Sequence, residues 1–441
     1  MSAASKRLST ATDWATALEE AVVEHPGHPR WLADIRKQGR ERIRQHGFPS
    51  RAHEEWKYTS LAAIAQGPYS SLLDEGDQGN FTTVKFLPAD GPVVTLLNGV
   101  FLEGSSDLLS LPAGIRVRPL SDALRGDADR LRSTLEAVSD GEHPFRALAD
   151  ATLGDGLFIE VDSGIGFEGV LHVVNLIDGG SAPGAAHLRH VVVVGKGARL
   201  AIVEEVHCHQ DVLANIHWDF EVGEDAEVGR VRTFGRCADG NLFHGSRVRQ
   251  ADGSTFSDFF HCAGVRMIRN EIEVELAGRR CHTELRGAYF ATGSEHVDNQ
   301  TRILHSHPDC TSNEVYRGVL SGRSRGVFSG KIHVFQDAQR TDAKQSSDSL
   351  LLSRKAEADV RPRLEIYADD VRCTHGATVG ELDEDAIFYL RSRGVNEPLA
   401  RKMLVGAFVK EVLEEVEPEA LRQRLVDDLT CGIEISPVPE E

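Results

Sequence analysis

Between residues 155 and 370 the sequence is a succession of short runs in which apolar and polar residues alternate, with turn residues between the runs. Examples are LFIEVD, GVLHVVNL, RLAIVEEV, EIEVELAG and RLEIYAD. Alternation with a period of about two residues is typical of β-strands that bury one face. Almost no stretch of helical periodicity interrupts the runs, which disfavours alternating βαβ units. The sequence therefore predicts a mainly β fold for this region.

A weak internal repeat narrows the β architecture. The segments GKGARL, GEDAEV and ADGSTF place Ala198, Ala226 and Ser254 at equal intervals of 28 residues, each as a small residue before a strand. AGRRCH and HPDCTS continue the theme less regularly. A repeat of about 20 to 50 residues indicates a solenoid, in which each turn of chain buries its inward side chains against the next. A β-sandwich also alternates and turns, so the pattern alone leaves both architectures open.

Helical patterns flank the β region on both sides. WATALEEAVVE and RWLADIRKQGRERIRQHG have apolar residues at helical spacing, and Gly47 suits a helix end. Three C-terminal helices are predicted in ELDEDAIFYLRSRG, NEPLARKMLVGAFVKEVLEEV and PEALRQRLVDDL, with Asp383 and Asn396 as N-caps and Gly394 as a terminator. Three domains are predicted: a helical and mixed region at 1–150, a β core at 151–380 and a helical domain at 381–441.

Two elements are predicted within the N-terminal region. VVTLLNGVF (93–101) is interpreted as one strand, and DADRLRSTLEAV (127–138) as a helix.

Charge and cysteine usage exclude several classes of function. The formal net charge is −19, which disfavours nucleic acid and anionic membrane surfaces as partners. The start of the chain has no apolar signal segment, and no apolar run is long enough to span a membrane. The seven cysteines are widely spaced and include no CxxC pair. We therefore expect a cytoplasmic protein with reduced thiols rather than a disulfide framework or a zinc knuckle.

Most candidate chemical motifs have a simpler structural interpretation. The sequence has no nucleotide-binding glycine loop, no GxSxG elbow and no HExxH motif. In HCHQ, His207 and His209 would share one strand face and Cys208 the other, and the HSH of His305 and His307 has the same form. Polar strand faces explain both without a metal. Small core residues explain the four cysteines Cys237, Cys262, Cys281 and Cys310.

The segment DDVRCTHGATVG (369–380) offers the best ligand pair. Cys373 and His375 lie two residues apart, so that on a strand they face the same way. Thiolate and imidazole are both good iron ligands. Asp369 and Asp370 lie close by and would tend to raise the pKa of the Cys373 thiol. A packed cysteine beside a hydrogen-bonded histidine remains the alternative interpretation.

The surrounding sequence resembles a known family. RPRLEIYADDVRCTHGATVGELDEDAIFYLRSRGV (361–395) resembles the C-terminal signature of the SufB/SufD iron–sulfur cluster assembly proteins, and FPSRAHEEWKYTSL (48–61) is similar to the N-terminal signature of its SufD branch. LLNGVF (96–101), HPFRALADA (143–151) and SGKIHVFQDAQRTDAKQSSDSLLLS (329–353) are similar to further segments. Leu390 stands where the SufB branch has a cysteine, which favours the SufD branch and excludes a sulfur-accepting role at this position.

The resemblance implies a right-handed parallel β-helix with an N-terminal helical region and a C-terminal helical domain. It implies a non-enzymatic scaffold that pairs with SufB through the ends of the β-helices. Whether the chain forms a homodimer when alone is left open by the sequence. The C-terminal helices would dock the ATPase SufC, which would hydrolyse the ATP. The apolar candidates for that docking face are Phe388, Leu404, Phe408 and Leu413.

The resemblance also implies a role for the Cys-x-His pair. His375 would be a ligand for iron or a nascent iron–sulfur cluster shared transiently with SufB, and Cys373 would have a less defined part. A flavin is associated with complexes of this family, but no residue of this sequence marks a flavin site.

Two other functions are compatible with the β pattern. One is a β-helix carbohydrate-active enzyme, although aromatic residues make up only 6% of the chain and sugar stacking needs them. The other is a metal-storage or metal-sensing protein that uses the HCH and HSH faces.

Overall fold

The computed structural model describes residues 13 to 431, except 15, 17, 20–21, 23–26, 66–68, 72–77, 82–86, 88–90, 138–143, 155, 180–182, 210 and 415. In this part of the chain, parallel strands stack into a β-solenoid of about 8 turns with helices at its N- and C-terminal sides. The predicted WATALEEAVVE helix lies mostly outside the described residues. The β-solenoid is thus confirmed, and the β-sandwich alternative is wrong.

Each turn of the solenoid contributes one segment to each of two parallel sheets. The front sheet stacks β2 (Val93–Leu97), β6 (Leu171–Asp178), β8 (Arg199–His209), the first parts of β10 (Glu227–Gln250) and β11 (Thr255–Leu276), and then β12 (His282–Ala291), β14 (Thr311–Leu320), β16 (Asp342–Leu351) and β18 (Arg372–Glu381). The back sheet stacks β1 (Ser70–Ser71) and β5 (Leu157–Val161) on β7 (Gly184–Val194), followed by β9 (Val212–Val222), the second parts of β10 and β11, β13 (His296–His305), β15 (Arg325–Val334) and β17 (Glu357–Ile366).

The 28-residue repeat corresponds to one corner of the solenoid. Ala198, Ala226 and Ser254 are buried there, and the backbone N–H of the residue after each corner donates to the carbonyl of the corner below, as from Glu227 to Ala198 at 2.9 Å and from Thr255 to Ala226 at 2.9 Å. The same stack continues through Cys281, Cys310 and Thr341. Small side chains recur here because each corner is covered by the next, which leaves no room for a larger group.

The segment VVTLLNGVF differs from the prediction of a single strand. It forms a hairpin of β2 and the short antiparallel β3 (Val100–Phe101). The turn residues Asn98 and Gly99 both have positive φ angles, 50° and 92°. Asn-Gly is the preferred pair for such a two-residue hairpin turn, so the reversal of the chain at this point has a local cause. A second antiparallel strand, β4 (Ile115–Pro119), pairs with β5.

Helices cover parts of the outer faces of both sheets. The N-terminal ones are α1 (Arg30–His46), the single turn α2 (Ala62–Ala65), α3 (Leu120–Gly126), α4 (Ala128–Glu136) and α5 (Pro144–Ala151). α1 ends at Gly47, whose φ is 62°, and α4 matches the predicted helix. Within the described part of the chain, no helix is both long and apolar enough to cross a membrane.

The C-terminal helices are α6 (Glu384–Ser392), α7 (Glu397–Leu413) and α8 (Glu419–Cys431). The Asp383 carboxylate accepts from the backbone N–H of Asp385 and Ala386, and the Asn396 side chain accepts from that of Leu399, so both predicted N-caps are confirmed. α7 and α8 pack on the outer face of the front sheet, where their apolar side chains cover outward residues such as Phe259 and Val319.

The N-terminal signature crosses the outer face of the back sheet. We call residues Glu54–Thr59 the N-terminal strap. The Arg269 guanidinium lies 3.7 Å from the centroid of the Trp56 ring, and Thr59 Oγ1 donates to Asp298 Oδ2 at 2.5 Å. Arg361 Nη1 donates to the Glu54 carbonyl at 3.1 Å. These contacts join a segment within the first seventh of the sequence to the back-sheet strands β11, β13 and β17.

Candidate functional site

Cys373 and His375 lie on β18, the last strand of the front sheet. Cys373 stands in register with Ala343 and His375 with Gln345, both of which point into the solenoid core. The two side chains therefore share the inward face of β18, as their spacing predicts. The described strands leave the far edge of β18 uncovered, so this inward face lies at the open end of the solenoid. His375 is exposed, whereas Cys373 is half-buried against the core.

Burial raises the pKa of the Cys373 thiol, and the nearby Asp342 carboxylate adds to this shift. The backbone of Ala343 acts in the opposite direction. Cys373 is therefore a neutral thiol near pH 7. The sequence suggested Asp369 and Asp370 as the source of this effect, whereas the contributing carboxylate comes from the neighbouring strand β16.

A row of polar side chains leads from the core to His375. Glu314, Gln345 and His375 occupy successive positions in the ladder β14–β16–β18. Gln345 Nε2 donates to Glu314 Oε2 inside the solenoid. Burial raises the pKa of Glu314 to about 7. The position that holds His375 is thus a polar core position in the two preceding turns.

Two ligands are the most that this end of the solenoid brings together. Among the residues that the structure describes, no group of three or more His, Cys, Asp or Glu side chains is close enough to hold a metal ion. Two ligands leave most of the coordination positions of iron to other groups.

The other histidine motifs have separate partners. His207 Nε2 lies 3.2 Å from Glu205 Oε2, and His209 Nδ1 lies 3.0 Å from Asp178 Oδ1. His305 is buried at the end of β13 with its Nε2 2.9 Å from Ser312 Oγ, and burial lowers its pKa to about 4. His307 is exposed in the following turn. The HSH motif is therefore not a two-histidine strand face, because the strand ends at the first histidine.

The four apolar candidates on the C-terminal helices lie at different depths. Phe388 on α6 is 71% exposed. Leu404 and Phe408 on α7 are half-buried, and the Phe408 ring lies 5.1 Å below the Arg317 guanidinium. Leu413 is fully buried between α7 and the solenoid, so it cannot form part of an accessible surface. Leu390 is half-buried on α6.

Exposed apolar side chains that sequence reasoning did not single out lie near Phe388 and at the open end. Tyr389 on α6 and Leu399 and Met403 on α7 are exposed like Phe388. At the open end, the exposed apolar side chains are Val379, Ile366, Tyr367 and Phe335. Val379 follows Cys373 and His375 in the inward alternation of β18, which is the signal that could have identified it.

A charged network inside the solenoid was also missed. Arg230 and Arg232 on β10 point inward and both donate to Asp258 Oδ1, at 2.7 and 2.9 Å. His244 Nε2 lies 3.0 Å from Glu204 Oε2. Burial alone would raise the pKa of Glu204, but His244 and Arg230 outweigh it and hold the value at about 2. The sequence signal for this network is the run VGRVRTF. Its alternation places both arginines on the same strand face as Val228 and Phe234, which points into the solenoid core.

Two family models match the chain, one over its N-terminal part and one over most of the solenoid and part of the C-terminal helices. Residues 176–408 match the family model described as "SUF system FeS cluster assembly, SufBD core domain". Residues 18–173 match the one described as "SufBD protein N-terminal region". The core match spans more than half of the chain, and it includes β18 with Cys373 and His375 as well as α6 and most of α7.

The chain is also similar over most of its length to individual proteins from several organisms. The iron–sulfur cluster assembly protein SufD of Escherichia coli is 28% identical over 88% of this chain and 89% of that protein. An iron–sulfur cluster assembly SufBD family protein of Synechocystis is 28% identical over 94% of both chains. A chloroplast protein of Arabidopsis thaliana, ABCI7, is 25% identical over 93% of this chain and 88% of that protein.

Proposed function

Because the chain belongs to the SufBD family of iron–sulfur cluster assembly proteins, we propose that it is a cytosolic, non-enzymatic scaffold subunit that pairs with a SufB-type partner and holds iron or a nascent cluster between them. In this proposal iron and the growing cluster are the cargo of the complex. A SufC-type ATPase, docked on the C-terminal helices, drives rearrangement of the complex. The observation that carries the proposal is the inward-facing pair of half-buried Cys373 and exposed His375 on the uncovered last strand.

The open end has the properties of a pairing surface. β18 presents backbone groups that have no strand beside them among those described, and such an edge is a template for another chain. Exposed apolar side chains accompany it, including Val379, Ile366 and Tyr367. In a monomer these apolar side chains would be exposed to water, which is energetically unfavourable. Packing against the end of a second solenoid would bury them.

The ligand count supports a shared site. An exposed imidazole and a half-buried thiol are suitable donors for iron, but they leave most of its coordination positions to other ligands. Leu390 supplies no sulfur, because its side chain has no nucleophile. In the proposed complex the partner provides the reactive cysteine, and His375 provides the main ligand from this chain.

The docking face for the ATPase is proposed to be the exposed side of α6 and α7. Phe388 and Tyr389 project from α6, and Leu399 and Met403 lie one helical turn apart on α7. The opposite side of α7 is fixed to the solenoid, where Arg317 donates to the Phe408 carbonyl and its Nη2 lies 2.6 Å from Glu411 Oε2. Leu413 is left out of this face because it is buried.

Co-expression with SufB-type and SufC-type partners, followed by anaerobic purification, tests the proposal. We expect His375→Ala to leave the complex assembled on size exclusion but to lose at least about half of its iron and sulfide, because one ligand of the shared site is gone. His307→Ala is the matched control, since His307 is also exposed but lies in a turn away from β18. Unchanged iron and sulfide in the His375→Ala complex would contradict the role of His375. Failure of the wild-type chain to co-purify with either partner would contradict the scaffold role.

A further inference from the structure

A cavity of about 390 Å³ opens on the outer face of the back sheet, between strands β9, β10, β11, β13, β15 and β17, helix α5 and the N-terminal strap. Its volume is in the range of about 300–1,000 Å³ that is usual for small-molecule sites. Six cationic side chains line it: Arg146, Arg247, Arg269, Arg302, Lys331 and Arg363. This concentration of positive charge is unexpected on a chain whose formal net charge is −19.

Four of the cations belong to one row across the sheet. Arg247 stands in register with Glu273, Glu273 with Arg302, Arg302 with Lys331, and Lys331 with Arg363. Neighbouring strands lie about 4.8 Å apart, so these side chains form a continuous column on one side of the sheet. A single carboxylate, Glu273, interrupts it.

Three carboxylates, Glu55, Glu271 and Glu273, line the cavity beside the six cations, so the lining itself carries a net positive charge. Arg302 Nη1 donates to Glu273 Oε2 at 3.0 Å, and Lys331 Nζ lies 2.8 Å from Glu365 Oε1. Arg363 Nη2 donates to Ser329 Oγ at 3.3 Å. In the part of the chain that the structure covers, neither Arg247 nor Arg363 has a carboxylate within ion-pair distance, and Arg247 acts on Asp219 and Glu221 only at longer range. Both guanidinium groups are half-buried, so water compensates their charge incompletely.

The wall of the cavity is held in place by tertiary contacts. Glu55 lines it from the strap, and its carbonyl accepts from Arg269 Nη1 at 3.0 Å. Arg269 also stacks on Trp56 and lies 2.6 Å from Asp298 Oδ2, so it is locked on three sides. Arg146 is fixed by Asp219 at 3.0 Å. The cavity is therefore formed before any ligand arrives, which lowers the cost of binding.

We propose that this cavity binds a small multivalent anion that carries phosphate groups or several carboxylates. Guanidinium groups recognise both kinds of oxyanion through paired hydrogen bonds, and Arg247 and Arg363 are available to make them. The site lies on the outer face of the back sheet, whereas Cys373 and His375 face inward on the front sheet. The inference therefore goes beyond the proposed function and does not depend on it.

Isothermal titration calorimetry of the full-length chain tests the site, with pyrophosphate and citrate as separate probes at about 50 mM salt. The double variant Arg247→Gln/Arg363→Gln removes the two guanidinium groups that have no carboxylate within ion-pair distance among the described residues. Arg323→Gln/Arg354→Gln is the matched control, because it removes two exposed positive charges away from the cavity. Circular dichroism and thermal melting of both double variants check that the fold is retained.

We expect at least one probe to bind the wild-type chain and the control variant with equal affinity. The cavity variant should bind that probe at least about tenfold more weakly, because two charge-assisted contacts are lost. Binding of pyrophosphate alone would identify a phosphate-bearing ligand, and binding of citrate alone a polycarboxylate. The proposal is overturned if neither probe binds, or if the cavity and control variants weaken binding equally.

Discussion

At the scale of single residues, His375 is accessible because of its place in the stack. The equivalent positions on the two preceding strands of the front sheet, Glu314 and Gln345, are buried. The same inward position is therefore buried in the core in those two turns and exposed at the surface in the last turn. A polar residue there can be replaced without loss of packing, so the effect of a His375 substitution on iron content reports on chemistry rather than on stability.

Glu314 provides a prediction about pH and stability. Burial raises its folded pKa to about 7, whereas an unfolded chain ionises glutamate near pH 4.3. The unfolded state therefore loses its proton first, and stability falls as pH rises from about 4.5 to 7. We expect Glu314→Gln, which can still accept from Gln345, to raise the free energy of unfolding by about 2 kcal/mol at pH 8, with a much smaller gain at pH 5.

Urea denaturation of both proteins at the two pH values measures this difference. Other titrating groups are common to both chains and cancel in the comparison. Glu168→Gln is the control, because the Glu168 side chain is 87% exposed and its removal should change little at either pH. A gain that is equal at pH 5 and pH 8 would show that the ionisation of Glu314 is not its source.

At the scale of elements, the corner stack explains why the repeat was visible in the sequence. Ala226 packs between Ala198 below and Ser254 above, and each is almost completely buried. We expect Ala226→Leu to lower the free energy of unfolding by about 1–3 kcal/mol, because the extra atoms force the turns apart. Ala407→Leu, at an exposed helical position, should be nearly neutral in the same denaturation experiment. Equal stability of the two variants would mean that the corner is not tightly packed.

The exposed face of α6 and α7 gives a second prediction at this scale. We expect Phe388→Ala/Met403→Ala to weaken capture of a SufC-type ATPase by about tenfold or more, because exposed apolar anchors dominate such interfaces. Pairing with the SufB-type partner should be unchanged in the same pull-down. Surface substitution is a cleaner test than truncation at residue 380, which would also uncover Phe259 and Val319 on the solenoid.

Leu109→Ala is the control for the docking test, since Leu109 is an exposed leucine remote from α6 and α7 in sequence. Full capture of the ATPase by the double variant would place the docking face elsewhere on the chain. Loss of both partners would point to a folding defect and would also count against the assignment.

At the scale of the whole molecule, features with local causes were predictable from the sequence. The N-caps Asp383 and Asn396 and the helix end at Gly47 depend on residues within one turn, and the strands follow from alternation. The repeat that favours a solenoid over a sandwich was visible because a small residue recurs at each corner. The Asn98–Gly99 hairpin was equally local, and it was overlooked because the flanking residues are almost all apolar.

The rest depends on contacts between residues that are far apart in the sequence. The partner of Arg230 and Arg232 is Asp258, one turn later, and alternation cannot say whether an inward charge will be matched. The residues that line the cationic cavity come from six strands, α5 and the strap, so no single segment of the sequence indicates the cavity. Spacing put Cys373 and His375 on one face, but only the stacking of strands shows that this face lies at an open end.

Buried histidines predict how the whole molecule responds to acid. Burial lowers the pKa of His187 to about 3 and the pKa values of His190, His261 and His305 to about 4. The unfolded chain takes up these protons below about pH 6.5 while the folded chain does not, so stability is lost as pH falls. Each histidine contributes up to about 1.4 kcal/mol per pH unit. Burial also lowers the pKa values of His217, His244 and His296, and these histidines outnumber the carboxylates with raised pKa values that oppose the trend, Glu221, Glu295 and Glu314.

We therefore expect the urea midpoint to be clearly lower at about pH 5.5 than at about pH 7.5. His305→Gln, which can still donate to Ser312, should reduce the drop, whereas His307→Gln in the exposed turn should leave it unchanged. A midpoint that stays constant between the two pH values would contradict the neutral state of the buried histidines.

The N-terminal strap sets an order of events during synthesis. Glu54 is translated early, but the arginine that binds its carbonyl, Arg361, follows 307 residues later. Asp298 and Arg269, which hold Thr59 and Trp56, also emerge long after the strap. The contacts of the strap therefore form in stages: Trp56 can pack on Phe145 and Phe243 once those residues exist, whereas the Glu54 carbonyl waits for Arg361 on β17. The strap is made early, but its attachment beside the cationic cavity is complete only when the last turn of the solenoid has formed.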